Sequence, residues 1–235
     1  MKTIFHGAAQ RGHANHGWLQ ANHSFSFGGY FDPGKIQFGL LRVLNDDTVA
    51  AGMGFSEHPH YNMEIVTIPL KGALAHKDST GRKETIRAGE VQIMSAGTGI
   101  VHAEMNASPT ESVSLFQIWI LPEKVNIEPR YDQRLFDWKQ KKNSWTEVVA
   151  PDMEQALWIN QQAWLSLATL DEGNALEYRG HKPENGFYLM VIEGEVTLGN
   201  QVLGKRDAIG ISETDVFEMK STKYSELLLI EVPMA

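Results

Sequence analysis

The chain contains no cysteine among its 235 residues. Disulfide bridges, cysteine-ligated zinc sites and thiol nucleophiles are therefore excluded, and nothing in the sequence requires an oxidising compartment. No window approaches the roughly 18 consecutive apolar residues that a membrane-spanning helix needs, and residues 1–6 lack the apolar core of a secretion signal. We therefore expect a cytoplasmic protein that does not contact a membrane.

Positive charge is also scarce. The 21 Lys and Arg residues are outnumbered by 29 Asp and Glu residues, which gives a formal net charge of −8. A field of that sign opposes binding to nucleic-acid phosphates, so direct nucleic-acid binding is not expected. Hydrophobic residues make up 42% of the chain, a share typical of globular proteins, and this argues against disorder.

Long helical periodicity is hard to find, and the apolar runs are short. Gly, Pro, Asn or Asp interrupt them at close intervals, as around residues 39–44, 65–68 and 114–120. Short runs separated by turn residues indicate a mainly β protein, either a sandwich or a barrel. Short helices are expected near residues 129–145 and 151–157.

A weak internal repeat divides the chain into two halves. The segment IPLKGAL at residues 68–74 is similar to VIEGEV at residues 191–196, because both read as strand, glycine turn and strand. Such a repeat predicts two similar antiparallel barrels packed face to face. We assign residues 1–130 to the first and residues 131–235 to the second, joined by a charged segment near residues 122–151. Two barrels that cover each other favour a monomer.

The pairs His58-x-His60 and His102-x-Glu104 carry the chemistry. In an extended strand, residues i and i+2 point to the same face, so each pair presents two metal-binding side chains together. If the two strands are neighbours, three imidazoles and one carboxylate converge, and an octahedral metal keeps two open positions. That donor set suits one divalent transition metal, either Fe(II) or Mn, Co, Ni, Cu or Zn.

The histidine pair alone is weak evidence, because 9 histidines in 235 residues give about a third of one His-x-His pair by chance. Glycines before each pair, at Gly52, Gly54, Gly97 and Gly99, strengthen the interpretation, since they allow tight turns beside a buried cavity. Metal binding is therefore favoured over ordinary core or surface histidines. In the second half, His181 has no His or Glu two residues away, so no metal site is expected there.

Several motifs resemble a known family. The spacing Gly52-x5-His58-x-His60 is similar to the first motif of the cupins. Four segments resemble, more narrowly, the pirin family of bicupins: RGHANHGW at residues 11–18, HSFSFG at 23–28, LRVLNDD at 41–47 and QIMSAGTGI at 92–100. The resemblance is strong over about the first 135 residues and is architectural beyond them. It points to the bacterial quercetinase-like branch.

This resemblance implies two cupin-type jelly-roll barrels, with His58, His60, His102 and Glu104 as metal ligands and Fe(II) as the usual metal. It also implies a dioxygenase that opens flavonols such as quercetin with O₂. Strand parity puts Glu64 on the same side as His60. Glu64 is then either a catalytic helper beside Glu104 or a partner in a structural salt bridge.

Two polar residues near the expected site stay open to interpretation. We expect His76 to be a hydrogen-bonded structural histidine, although it could line the pocket. Gln117 alternates with apolar neighbours, so it either contacts a bound ligand or bonds to backbone inside the barrel.

Two other functions stay open. Pirins also include redox-sensitive regulatory proteins that modulate a transcription factor or a metabolic enzyme, and this alternative requires a protein partner. Other cupins are metal-dependent isomerases or epimerases. Those would need a cluster of Lys or Arg in the pocket to bind an anionic substrate, and no clear cluster is apparent.

Overall fold

The computed structural model describes residues 1–234, which form twenty β-strands and one short 3-10 helix. The first twelve strands are β1 Lys2–His6, β2 Gly12–Asn15, β3 Leu19–His23, β4 Leu41–Val49, β5 Gly54–His60, β6 Glu64–Lys71, β7 Ala73–Asp78, β8 Lys83–Arg87, β9 Glu90–Ser95, β10 Ile100–Asn106, β11 Val113–Ile120 and β12 Arg130–Leu135. The other eight are β13 Ser144–Ala150, β14 Leu157–Trp158, β15 Trp164–Leu170, β16 Ala175–Arg179, β17 Asn185–Leu198, β18 Gln201–Gly204, β19 Ala208–Ser212 and β20 Val216–Pro233. The 3-10 helix spans Ala8–Gln10. Across residues 1–234 we find no helix with the length and apolar character to span a membrane.

Two antiparallel sheets enclose the first barrel. The larger sheet has the strand order β12-β9-β6-β11-β4-β3-β2, and the smaller has the order β5-β10-β7-β8. Alternation along each strand gives the sheet two different faces. In β4, Asn45 bonds to His23 inside the barrel, whereas Leu44 belongs to the apolar core shared with the second barrel.

The second barrel is one nine-stranded sheet that bends round on itself. Its two longest strands, β17 and β20, pair along much of their length, with register shifts near Glu193 and Glu195. Such bulges bend a strand and increase its twist. As a result, β20 pairs with β16 through residues 216–220 and with β15 through residues 225–231. One bent strand thus contributes to both walls of the barrel.

A continuous apolar core joins the two barrels. Leu44, Ile68 and Phe116 of the first barrel lie in the same buried cluster as Leu167 and Ile230 of the second. Burial of apolar surface contributes roughly 25 cal/mol per Å², so this shared core holds the barrels together strongly. The mainly β architecture with two barrels packed face to face, predicted from the repeat, is confirmed.

Two strands cross the expected division between the barrels. β1 pairs with β19 and so extends the sheet of the second barrel, whereas β12 pairs with β9 at the edge of the first. The boundary at residue 130 stays a prediction. The helices expected near residues 129–145 and 151–157 are wrong, because β12, β13 and turns occupy those segments. Pairing with a neighbouring strand overrides the weak local preference there.

Candidate metal centre

Strand pairing brings the two predicted pairs of side chains together. β5 and β10 are antiparallel neighbours, with His58 directly opposite His102. A register shift between His102 and Glu104 then sets Glu104 opposite Phe55. The turn that leads into β10 requires glycine, because a Cβ on Gly97, at φ +48°, would lie 2.0 Å from a backbone oxygen.

Three imidazoles converge in this barrel. The Nε2 atoms of His58 and His102 are 3.0 Å apart. The ring centroid of His60 lies 4.9 Å from that of His58 and 4.8 Å from that of His102. One ring nitrogen from each histidine lies within 4.8 Å of the others. Such close approach of three imidazoles is the geometry of a metal site, since one cation can accept all three lone pairs.

The environment keeps these imidazoles in the form that binds metal. Burial, with a smaller effect of His58, lowers the pKa of His60 to about 4 and that of His102 to about 3. Both rings are therefore neutral at pH 7, as ligation requires. The Nδ1 atom of His58 lies 2.7 Å from the backbone oxygen of Ser56. Donation from Nδ1 to that oxygen fixes the tautomer and leaves the Nε2 lone pair free.

Glu104 lies on the inner side of the cluster. Its carboxylate groups with His76 and His102, with one donor atom from each within 4.8 Å of the others. Oε2 accepts a 3.0 Å hydrogen bond from Gln117, whereas Oε1 is buried without a partner. Burial raises the pKa of Glu104 to about 7, although bonds from Gln117 and Thr67 oppose the shift. The partnerless oxygen is available to a cation or a proton donor.

His102 therefore belongs to two donor groups, one outer and one inner. The outer group is His58, His60 and His102, and the inner group is His76, His102 and Glu104. The structure places all four predicted ligands in these groups, and their ligation of a metal stays a prediction. Imidazole and carboxylate together suit a divalent transition metal, and the partnerless buried atoms of His76 and Glu104 fit such an ion.

His76 is hydrogen-bonded, in agreement with the expectation, but it also lines the site. Its Nε2 lies 3.0 Å from Oδ2 of Asp78, and both side chains are fully buried. Its ring is 5.3 Å from that of His102 and 4.7 Å from that of Tyr131. Neither Asp78 nor Tyr131 was predicted from the sequence. The parity of His76-x-Asp78 on β7 was the signal that could have found Asp78.

Gln117 and Trp119 face the same interior from β11. Gln117 bonds to the side chains of Thr67 and Glu104, rather than to backbone. The ring of Trp119, which was not predicted from the sequence, lies 4.9 Å from that of His60 in an edge-on arrangement. Its Nε1 is buried without a partner. The ring of Phe27 meets that of Trp119 edge-on at a centroid distance of 5.3 Å, so a second aromatic side chain extends the group beside the imidazoles.

Glu64 lies outside both donor groups, and the prediction that it faces the same side as His60 is wrong. It shares a face of β6 with Val66 and Ile68 of the core between the barrels, because the break in the strand at residues 61–63 interrupts the parity. Its Oε2 accepts a 2.8 Å hydrogen bond from Ser95 and a 3.2 Å bond from the backbone N–H of Asn160. Burial raises its pKa. These contacts tie the first barrel to the chain that enters β15, and no salt bridge to Glu64 occurs within residues 1–234. Its catalytic role stays a prediction.

The second barrel holds a different polar cluster. The buried Glu231 carboxylate lies 3.0 Å from Nδ1 of His181 and accepts 2.9 Å bonds from Tyr178 and Asn185. The His181 ring stacks on Trp164 with a centroid distance of 4.7 Å. Both donor groups found in the described part of the chain lie in the first barrel. The ring of His181 thus contacts the Glu231 carboxylate and belongs to neither donor group.

Each half of the chain matches a known protein family or domain. Residues 5–120 match the family described as Pirin, and residues 147–232 match the quercetinase C-terminal cupin domain. The chain is 43% identical to "Quercetin 2,3-dioxygenase" of Escherichia coli (strain K12), over 96% of both chains. The chain belongs to the pirin family. The cupin-type fold predicted for both barrels is confirmed by these matches.

Other pirins agree in sequence and structure. The chain is 39% identical to a "Pirin-like protein" of Caulobacter vibrioides, over 94% of this chain and 95% of that one. It superposes on the bacterial pirin YhhW of Escherichia coli, crystallised in complex with nickel(II), with a TM-score of 0.94. That match covers all of both chains at 40% identity. The two-barrel arrangement described above is thus the pirin arrangement.

Proposed function

We propose that this pirin is a metal-dependent dioxygenase that opens flavonols such as quercetin with O₂. The observation that carries the proposal is the convergence of three imidazoles and a buried carboxylate inside the first barrel. The similarity to a pirin named quercetin 2,3-dioxygenase, over nearly the whole chain, supports the same reaction.

The ligands in this proposal are His58, His60, His102 and Glu104, and the native metal is Fe(II). A mixed imidazole and carboxylate set with open positions is typical of non-haem iron oxygenases, although such donors also accept other divalent metals. Bound there, the metal would supply Lewis-acid binding of the flavonol's 3-hydroxyl and carbonyl oxygens.

The side chains around the cluster have separate tasks. The edge-on Trp119 ring beside His60 supplies an apolar wall against which a planar flavonol ring can pack. Oε1 of Glu104 has no hydrogen-bond partner and is the atom that would accept the 3-hydroxyl proton. Without the metal, burial raises the pKa of Glu104 to about 7. A bound cation would favour the ionised carboxylate, which is the form that accepts a proton. Gln117 holds the other oxygen in place.

Metal analysis combined with quercetin turnover tests the proposal. The protein is prepared metal-free, reconstituted separately with Fe(II), Mn, Co, Ni, Cu or Zn, and incubated with quercetin while O₂ uptake and absorbance are followed. We expect one metal per chain and O₂-coupled loss of quercetin, highest with Fe(II). His58→Ala should lose both metal and turnover. His16→Ala, an exposed histidine outside the cluster, is the matched control and should keep both.

Two outcomes would contradict this proposal. Full metal retention in His58→Ala would remove the assignment of the ligands. One bound metal without turnover under any reconstitution would favour the redox-sensitive regulatory protein, and the search would turn to a protein partner.

A further inference from the structure

The hydroxyl of Thr67 is the one polar side-chain group on β6 between Ile65 and Leu70. Thr67 is fully buried, and its sequence neighbours Val66 and Ile68 are apolar and buried as well. A buried hydroxyl costs free energy unless it is hydrogen-bonded. Valine has a similar shape and no hydroxyl, so a threonine at this position indicates that the hydroxyl has a hydrogen-bond partner.

Strand pairing brings that partner within reach. β11 lies beside β6, and Gln117 is directly opposite Thr67 in the register. Oγ1 of Thr67 lies 3.0 Å from Oε1 of Gln117, and Nε2 of Gln117 lies 3.0 Å from Oε2 of Glu104. Glu104 belongs to β10, which is part of the smaller sheet. Three side chains from the two sheets of the barrel thus form one continuous chain of hydrogen bonds.

The chemistry of the three groups allows only one direction for this chain of bonds. A carboxylate that binds a metal has no proton to donate, so Gln117 must turn its NH₂ group toward Glu104. The amide oxygen of Gln117 then faces Thr67. Because a carbonyl oxygen only accepts, the hydroxyl of Thr67 must be the donor. The amide of Gln117 is therefore fixed from both ends.

The bond from Gln117 makes the two oxygens of Glu104 unequal. Oε2 accepts the bond from the amide, whereas Oε1 has no partner, and the carboxylate groups with His76 and His102. A ligand side chain that already has its binding orientation loses less conformational freedom when the metal binds. Groups that orient a ligand through hydrogen bonds therefore increase the affinity for the metal.

We propose that Thr67 is a positioning residue, which acts through Gln117 to keep the Glu104 carboxylate in the orientation that binds the metal. The inference rests on the ligands given in the proposed function, but it does not depend on flavonol turnover. In Thr67→Val a methyl group replaces the hydroxyl at 3.0 Å from the amide oxygen. Since non-bonded carbon atoms pack at about 3.5–4.0 Å from their neighbours, the amide would be displaced and its bond to Glu104 weakened.

Competition between a chelator and the Co(II)-loaded protein tests the proposal without quercetin. In Thr67→Val we expect the affinity for Co(II) to fall about tenfold or more, as it does when a partner of a metal ligand is removed, and the absorption bands of the bound Co(II) to shift. Thr67→Ser keeps the hydroxyl and should retain wild-type affinity and bands. Thr169→Val is the matched control, because Thr169 is also buried but its hydroxyl has no partner. It should change neither property.

The hydroxyl of Thr67 also lowers the pKa of Glu104, so its direct action on the carboxylate must be distinguished from action through Gln117. A double-mutant cycle makes this distinction. If Thr67 acts through Gln117, adding Thr67→Val to Gln117→Leu should cause no further loss of affinity. Thermal unfolding shows whether each variant is folded. Thr67→Ala, which removes the hydroxyl without placing a methyl group there, should also lose affinity and replaces the valine variant if that variant does not fold.

Three results would overturn the inference: unchanged Co(II) affinity and bands in the folded variant without the hydroxyl, the same loss in Thr67→Ser, or an additive loss in the double variant. Absence of Co(II) binding by the wild type would overturn both this inference and the proposed ligands. Co(II) binding that weakens as expected would support the inference even without turnover of quercetin, so the reaction and the positioning role are judged separately.

Discussion

Changing Glu231 to Gln tests what holds the second barrel together. The wild-type carboxylate is fully buried and accepts hydrogen bonds from Tyr178, from Asn185 and from the backbone and ring of His181. Glutamine keeps the shape, but it removes the charge and turns one acceptor into a donor that faces other donors. Breaking one side of a buried charged pair costs about 3–5 kcal/mol. In a chain of this length that loss corresponds to a fall in Tm of about 6–20 °C.

The same pair predicts how the effect depends on pH. Burial alone would raise the pKa of Glu231, but the hydrogen bonds outweigh it and hold that pKa below the ordinary 4.5. The contribution of Glu231 is therefore present above pH 4.5 and is lost as pH falls through the lowered pKa. The bond to Glu231 raises the pKa of His181 above 6.5, so its contribution is present below pH 6.5 and is lost as pH rises. The Tm of the wild type should exceed that of the variant by the largest margin between pH 4.5 and 6.5.

Thermal unfolding followed by circular dichroism, from pH 4 to 9, is the assay. Glu218→Gln is the matched control, because Glu218 is an exposed carboxylate on the same strand. The control should shift Tm by no more than about 2 °C, as surface substitutions do. Metal content should stay unchanged in both variants. If Glu231→Gln unfolds within about 2 °C of the control at every pH, the hydrogen-bonded carboxylate does not stabilise the barrel and the reasoning fails.

Two further predictions concern the metal centre. Gly97→Ala should destabilise the protein by at least about 2 kcal/mol, since the new Cβ meets the Ile127 carbonyl oxygen at a positive φ. Denaturant unfolding measures this loss. The control is Gly81→Ala, which is also at positive φ but in open space and should therefore destabilise the protein clearly less. Gln117→Leu should move the acidic limb of kcat/KM for quercetin to higher pH, because the bond from Gln117 lowers the pKa of Glu104. An unmoved limb would show that Glu104 is not the base.

The sequence was most informative where a short-range rule applies. The two-residue period of a strand predicted that His58 and His60 share a face, and the pairing of β5 with β10 brings both beside His102. The rule did not reveal the register shift after His102, which moves Glu104 toward His76. A bulge depends on the partner strand, so the residues of one strand do not specify it.

Long-range contacts were out of reach for a related reason. Glu64 bonds to the backbone of Asn160, which lies 96 positions further along the chain. Strand parity cannot identify a partner in another barrel. The sequence of β12 predicts a helix or connecting chain, because it is charged and lacks an apolar run. It forms a strand because it pairs with β9. The ion pairs of Asp46 with Arg11 and Arg206 depend on the same kind of contact, since Arg206 reaches Asp46 only when both halves have folded.

The pairing of β1 with β19 has a consequence for synthesis of the protein. Residues 2–6 leave the ribosome long before their partners at residues 208–212. The first barrel can fold during translation while β1 is still unpaired. Closing the second barrel then requires β1, so a late step of folding joins two segments that lie far apart in the sequence.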